Sequence, residues 1–241
     1  MKAVIFAGGY GTRLSERTDA IPKPMVEIGG RPILWHIMKI YSHYGVNDFV
    51  ICCGYKQQVI KDYFANFFLY NSDVTLDLSN NSMEIHNSTS ENWRVTLVDT
   101  GLDTFTGGRL KRVQPYVGHE RFFLTYGDGV ADINIEDTLT AHIEAGKKLS
   151  MTVYQPQGKL GVVDIDDTGD VKGFIEKPRS GGNWINAGFF VCEPEVFDVL
   201  EGDHEMFEQE PTQKLVAENE VHAFKHFGFW RPMDTLHDNK E

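Results

Sequence analysis

Several short segments of this 241-residue chain carry side chains able to hold or neutralise charge. The first is Gly8-Gly9-Tyr10-Gly11-Thr12-Arg13-Leu14, directly behind the apolar run at residues 3–7. Glycines let a backbone turn sharply and bring its N–H groups close to an anion. At the end of a buried strand, such a loop lies where an open α/β sheet places its ligand. It is not a Walker loop, because the Lys-Ser/Thr ending is missing, and Leu14 stands where a dinucleotide fingerprint has its third glycine. Pro22-Lys23-Pro24-Met25 follows, where two prolines restrict the backbone around one lysine and fix its direction. Arg13 and Lys23 read as cations for a triphosphate tail. The plain alternative is a structural turn with surface cations.

Thr125-Tyr126-Gly127-Asp128-Gly129 ends a second apolar run. A carboxylate between two glycines can approach a ligand closely and accept a hard cation such as Mg²⁺; an ordinary Asp-Gly turn is the alternative. Asp234, in Phe229-Trp230-Arg231-Pro232-Met233-Asp234, is a second candidate acid. In Glu176-Lys177-Pro178 the lysine could grip another phosphate and the glutamate could accept from hydroxyl groups. Asn186-Ala187-Gly188-Phe189-Phe190 begins an apolar strand with a polar amide.

These residues need a scaffold, and the apolar pattern supplies one. Strands are predicted at residues 3–7, 49–53, 93–99 and 122–126, with helices at 33–44, 59–68, 107–117 and 135–145. This βαβ alternation argues for a parallel sheet covered on both faces. Residues 73–86 break the rhythm as an inserted β-hairpin around Ser79-Asn80-Asn81-Ser82. Strands crowd together at 150–155, 161–165, 171–176 and 184–192, followed by a helical stretch. Residues 193–210 contain eight acids and no Lys or Arg, which reads as a solvated helix face and loop. The expectation is one α/β domain over 1–241. Residues 1–148 form the nucleotide side, with the hairpin insertion at about 73–86, and 149–241 form a β-rich second half.

Composition narrows the partners. Hydrophobic residues make up 41% and charged residues 24%, which excludes a disordered or collagen-like chain. Lys and Arg number 23 against 35 Asp and Glu, a net charge of −12 that disfavours nucleic acid but not a small phosphorylated ligand. Cys52, Cys53 and Cys192 lack metal spacing and read as buried, reduced thiols. No apolar run approaches the roughly 20 residues of a membrane span, and the N-terminal run is too short for a signal peptide, so a cytoplasmic protein is expected. His222 and His226 have HxxxH spacing, but on a predicted strand they lie about 13 Å apart and are rejected as a zinc pair. His36 falls on a helix and reads as a packing or capping residue.

Taken in order, GGYGTRL, PKPMVEIGGRPILWHIM, YGDGVAD, EKP, NAGFF and FWRPMDT resemble the sugar-1-phosphate nucleotidyltransferases, from Met1 to about Asp238. FVICCGYKQQVIKDYFANFF at residues 49–68, VTLVDTGLDTFTGGRLKR at 95–112 and the inserted segment are similar to the glucose-1-phosphate cytidylyltransferase branch. The resemblance implies a Rossmann-like fold with a mixed, mostly parallel sheet, joining CTP to glucose 1-phosphate with Mg²⁺. It implies that Gly8, Gly9, Gly11 and Thr12 hold the nucleotide, while Arg13 and Lys23 bind its phosphates and stabilise leaving pyrophosphate. Asp128 and Asp234 would hold the metal, Lys177 the sugar phosphate, and Glu176 and Asn186 the sugar. Arg109 is a candidate contact on the cytosine side, with a surface arginine as the alternative. A homo-oligomer is expected, and family members continue past the position of Glu241 into a helical tail. Tyr10 stands where an aliphatic residue is common, and its side chain is expected to point away from the ligand. Three alternatives remain: the same chemistry with another nucleotide or acceptor, a catalytically silent nucleotide-sugar sensor, and a nicotinamide-dependent oxidoreductase.

Overall fold

The computed structural model describes residues 1–11, 21–156, 162–165, 168, 170–175 and 183–233. Strand β1 (Lys2–Phe6) is followed by a 3₁₀ turn at Lys23–Met25 and a small antiparallel ribbon, β2 (Glu27–Ile28) and β3 (Arg31–Pro32). Helix α1 (Ile33–His43), β4 (Asp48–Cys53), α2 (Gln57–Ala65) and α3 (Phe67–Tyr70) come next. The hairpin β5 (Ser72–Asp77) and β6 (Ser82–Ser88) leads to β7 (Arg94–Asp99), α4 (Thr106–Val117) and β8 (Phe122–Tyr126). Then follow β9 (Gly129–Ala131), α5 (Ile135–Ala145), β10 (Leu149–Tyr154), β11 (Val162–Ile165), β12 (Val171–Ile175) and β13 (Ile185–Cys192). A 3₁₀ turn at Pro194–Val199, α6 (Glu210–Ala217), β14 (Val221–His226) and β15 (Trp230–Pro232) complete the described chain.

Seven strands form the central sheet in the order β14-β10-β13-β8-β1-β4-β7. Pairs β1–β4, β1–β8, β4–β7 and β10–β14 are parallel, whereas β13 runs antiparallel to both β8 and β10. The expected mixed, mostly parallel sheet is present.

Strand alternation sends neighbouring residues to opposite faces. Ala3, Ile5, Phe49, Ile51 and Cys53 pack with Leu34, Ile37, Met38 and Tyr41 of α1. Val4, Phe6, Val50 and Cys52 pack on the other face with Leu110 and Val113 of α4, Phe197 and Phe207. Burial on both faces explains why these strands read as continuous apolar runs. The adjacent thiols therefore sit in different cores, and burial pushes both up, Cys53 to about 12, which makes them poor nucleophiles near neutral pH.

Helix α5 covers the residues predicted for it. The Asn134 side chain accepts from Glu136 N and Asp137 N, and Gly146 ends the helix in the left-handed region at φ 60°. Two expectations change. The aromatic helix predicted at 59–68 divides at Asn66, whose side-chain amide donates to the Asp62 carbonyl at 2.8 Å. The acid-rich stretch 193–210 is a 3₁₀ turn and an irregular loop, and α6 begins only at Glu210 with Pro211 in its first turn. Without Lys or Arg, that stretch has no i,i+4 ion pairs within itself to support a helix; Glu210 finds one only in Lys214 of α6.

Candidate active site

A cavity of about 470 Å³ opens at the C-terminal ends of the parallel strands β1 and β8. The loop after β1 (Ala7 to Gly11) forms one wall, and residues 102–106 with Arg109 form another. Lys23, Gly127 and Asp128 line the third, and Met206 and Glu208 the last. An open α/β sheet leaves such a crevice where helices depart to opposite faces. The amino end of α4 reaches this cavity through Thr106, adding the positive end of its dipole.

Lys23 begins the 3₁₀ turn that the two prolines set up, with Met25 N donating to Pro22 O at 2.8 Å. Its Nζ donates to Asp128 Oδ2 at 2.6 Å, so the two motifs meet although 105 residues separate them. The lysine side chain is largely buried and the aspartate is one-third exposed. Gly127 N donates to Phe6 O at 2.9 Å, which docks the YGDG turn against the end of β1.

Asp128 also organises the chain before Asp234. Its carbonyl accepts from Met233 N at 2.7 Å, and β15 pairs with β9 so that Pro232 faces Gly129. Topology thus delivers the end of the described chain to Asp128, a juxtaposition that spacing alone did not contain. Asp128 places carboxylate oxygens at the rim of the cavity, donors of the kind a hard divalent cation takes. Magnesium commonly takes one or two carboxylates and completes its shell with phosphate and water. Among the described residues Asp128 is a carboxylate that fits such an ion.

Arg109 is 4% exposed and lies beneath the glycine loop. Its guanidinium donates to the carbonyls of Gly8, Cys53, Gly101 and Leu102 and to Thr100 Oγ1, at 2.7 to 3.3 Å. Burial holds its pKa below the ordinary arginine value, though an arginine remains cationic. A Cβ at Gly8 would run into this guanidinium, so glycine is needed there for close approach. The surface-arginine alternative is excluded. Arg109 both borders the cavity and fixes the positions of two of its walls.

Tyr10 departs from its expectation. It lines the cavity, its ring lies 5.2 Å from that of Tyr55, and its hydroxyl donates to Asp103 Oδ1 at 2.6 Å. The tyrosine thereby bridges the glycine loop and the 102–106 wall.

Asn186 donates from Nδ2 to the Tyr126 hydroxyl at 3.2 Å and accepts from Gly188 N at 2.8 Å. Gly8, Gly9, Gly11, Lys23, Arg109, Asp128 and Asn186 are therefore brought to one region, while Thr12, Arg13, Glu176, Lys177 and Asp234 lie outside the described residues. Sequence reasoning missed Glu208, which accepts from Tyr126 and Thr106. Its only signal was membership in an acidic run that reads as solvated surface.

No His or Cys lines the cavity among the described residues. A backbone loop, a lysine and a carboxylate are equipped to position a polyphosphate and neutralise it, rather than to form a covalent intermediate.

Elsewhere, His36 packs on α1 with Nε2 2.8 Å from Ile28 O, and His222 and His226 lie on strand β14 as expected. No helix among the described residues is long and apolar enough to cross a membrane.

The nucleotidyl transferase family model matches residues 2–235. The chain is 57% identical over 239 residues to the glucose-1-phosphate cytidylyltransferase of Salmonella typhi, covering 99% of this chain and 93% of that protein. It is 45% identical over 236 residues to a probable glucose-1-phosphate cytidylyltransferase of Bacillus subtilis, covering 98% and 92%. In fold it is similar to HddC from Yersinia pseudotuberculosis complexed with GMP-PN, at a TM-score of 0.70 and 22% identity over 99% and 96% of the two chains. With the strand-end cavity and its lysine–aspartate pair, this likeness over almost the whole length places the chain in the nucleotidyl transferase family.

Proposed function

We propose that this protein transfers the cytidylyl group of CTP to glucose 1-phosphate, forming CDP-glucose and pyrophosphate. The observation that carries the reading is the Lys23–Asp128 pair at the rim of the glycine-loop cavity, in a chain 57% identical to a glucose-1-phosphate cytidylyltransferase. A phosphate oxygen of the acceptor attacks the α-phosphorus of CTP in line, and the bond to the pyrophosphate oxygen breaks. The acceptor is already ionised near neutral pH, so no side-chain nucleophile is required.

Both reactants are anions, and the protein's task is to bring them together and neutralise their charge. The Gly8, Gly9, Gly11 and Thr12 loop holds the nucleotide, and Lys23 with Arg13 neutralises the triphosphate and the departing pyrophosphate. Arg109 keeps the loop in place and borders the cytosine side. Lys177 binds the acceptor phosphate, while Glu176 and Asn186 contact its sugar. Asp128 and Asp234 would hold Mg²⁺, which when bound would offset charge on the phosphate oxygens. The pairing of β15 with β9, which ends beside Asp128, supports including Asp234. In this reading residues 1–148 serve the nucleotide and 149–241 serve the acceptor.

The reading includes a homo-oligomer. Its support is the β5–β6 hairpin, which leaves Leu76, Leu78, Met83 and Ile85 exposed. It also places the protein in the cytoplasm, a reducing compartment suited to three buried, unpaired cysteines.

Pyrophosphate release, measured across four NTPs and a panel of sugar 1-phosphates with and without Mg²⁺, tests the proposal. The expected result is greatest turnover with CTP and glucose 1-phosphate, abolished by EDTA. A different best pair would reassign the substrate, and tight nucleotide-sugar binding without turnover would favour a sensor.

A further inference from the structure

The acid-rich loop between β13 and α6 places one carboxylate on the cavity wall. Glu208 is half-buried on the cavity wall. One of its oxygens accepts from the Tyr126 hydroxyl at 2.6 Å and the other from the Thr106 hydroxyl at 2.7 Å. Phe207 N donates to the same Thr106 oxygen at 2.9 Å, which pins the loop beside Glu208. Tyr126 ends β8 two residues before Asp128, and Thr106 begins α4. Glu208 therefore ties its loop to two walls of the cavity.

The direction of these bonds determines what lies beyond them. An ionised carboxylate only accepts, so Tyr126 must point its proton at Glu208. Burial, and then the nearby Glu208 charge, push the phenol far above the ordinary tyrosine range, so it keeps that proton. The Tyr126 oxygen is left with lone pairs for an incoming donor. Asn186 Nδ2 supplies that donor at 3.2 Å, while Asn186 Oδ1 accepts from Gly188 N at 2.8 Å. With both ends of the amide engaged, its orientation is defined, and one N–H remains uncommitted among the described residues. Gly188 adopts φ 81°, and a Cβ there would strike the Tyr126 ring, so this arrangement also depends on glycine.

We propose that Glu208 and Tyr126 are positioning residues for the acceptor sugar: Glu208 orients the Tyr126 hydroxyl, which orients the Asn186 amide to present its remaining N–H to a sugar hydroxyl. This rests on the reading of Asn186 as an acceptor contact. Without Glu208, the phenol proton is free to turn toward Asn186 Nδ2, setting donor against donor, while Gly188 N–H still holds the amide oxygen; the Nδ2 end of the amide then loses its anchor. The remaining N–H is then no longer held toward the acceptor. The acceptor loses affinity and the nucleotide does not.

Steady-state pyrophosphate release by the full chain tests this, with CTP and glucose 1-phosphate varied separately. Glu208→Ala and Tyr126→Phe are expected to raise KM for glucose 1-phosphate by about 10-fold, the scale of one lost hydrogen bond, with KM for CTP within about twofold of wild type. Glu208→Gln retains an acceptor for the phenol and is expected to restore most of the acceptor affinity lost in Glu208→Ala. Tyr126→Phe removes one oxygen and keeps the ring, so it decides the matter if Glu208→Ala fails to fold. Equal increases in both KM values, or an unchanged KM for glucose 1-phosphate in Tyr126→Phe, would overturn the proposal. Wild-type turnover is the separate control. Its absence refutes the proposed reaction, whereas intact turnover with unaltered acceptor KM in the variants refutes only this inference.

Discussion

Two cations border the same cavity and are held in opposite ways. Lys23 meets a full negative charge on Asp128 at the rim, whereas Arg109 lies beneath the loop and donates to carbonyl dipoles and one hydroxyl. A lysine bound to a carboxylate can exchange that partner for a phosphate, because both are anionic oxygens. A guanidinium surrounded by backbone carbonyls has no equivalent exchange available, since moving it would leave those carbonyls without donors. The difference separates charge that handles substrate from charge that holds the container in shape. Net charge of −12 conceals both, because each depends on local geometry.

Four substitutions put this contrast at risk. The largest effect is expected at the rim: Lys23→Ala and Asp128→Asn should each lower kcat by at least ~10²-fold, as for other lost charge-stabilising groups. Circular dichroism should remain that of the wild type, and near-normal turnover in both variants would refute the assignment. Arg109→Met should act first on the fold, lowering unfolding free energy by about 2–4 kcal/mol because buried acceptors lose their donor. Urea denaturation measures this. A variant as stable as wild type but catalytically as damaged as Lys23→Ala would erase the distinction. The smallest effect is expected from Tyr10→Phe, which removes the bond to Asp103 between two cavity walls. A few-fold increase in KM for CTP with kcat preserved would assign this bridge to the container side, whereas a fall in kcat alone would move it to the substrate side.

The legible part of the molecule was the part governed by local rules. Helix α5 was placed correctly because an amphipathic stretch ends at a glycine, and β4 because an apolar run is buried on both faces. The Lys23 and Asp128 motifs stand out through the glycines and prolines around them, whose conformational restrictions are intrinsic to the residue, and their roles follow only from the family resemblance of the whole set. What escaped was decided by distant partners. Glu208 looks like any other acid in its run, and only the placement of Tyr126 and Thr106 turns it inward. Tyr10 was expected to turn away, yet a partner 93 residues later draws its hydroxyl across the cavity. Arg109 carries no mark distinguishing it from a surface arginine until Gly8, Cys53 and Gly101 are assembled around it.

The antiparallel placement of β13 between β8 and β10 has a consequence for how a ribosome must deliver this protein. By the time Tyr126 emerges, the four parallel strands of one sheet half are available, and Phe122-Phe123-Leu124 form its raw edge. The proper neighbour of that edge begins only at Ile185. At translation speeds of about 5–20 residues per second, the nascent chain waits roughly 3–12 s for it. Meanwhile β10 has already been made, joined to β8 through α5 as a ready crossover unit. Until Ile185 is made nothing separates β8 from β10, and β13, made after both, must enter an interior slot rather than extend a margin. Sheet assembly here is an act of insertion, and its timing exposes an aromatic edge to whatever the cell offers first.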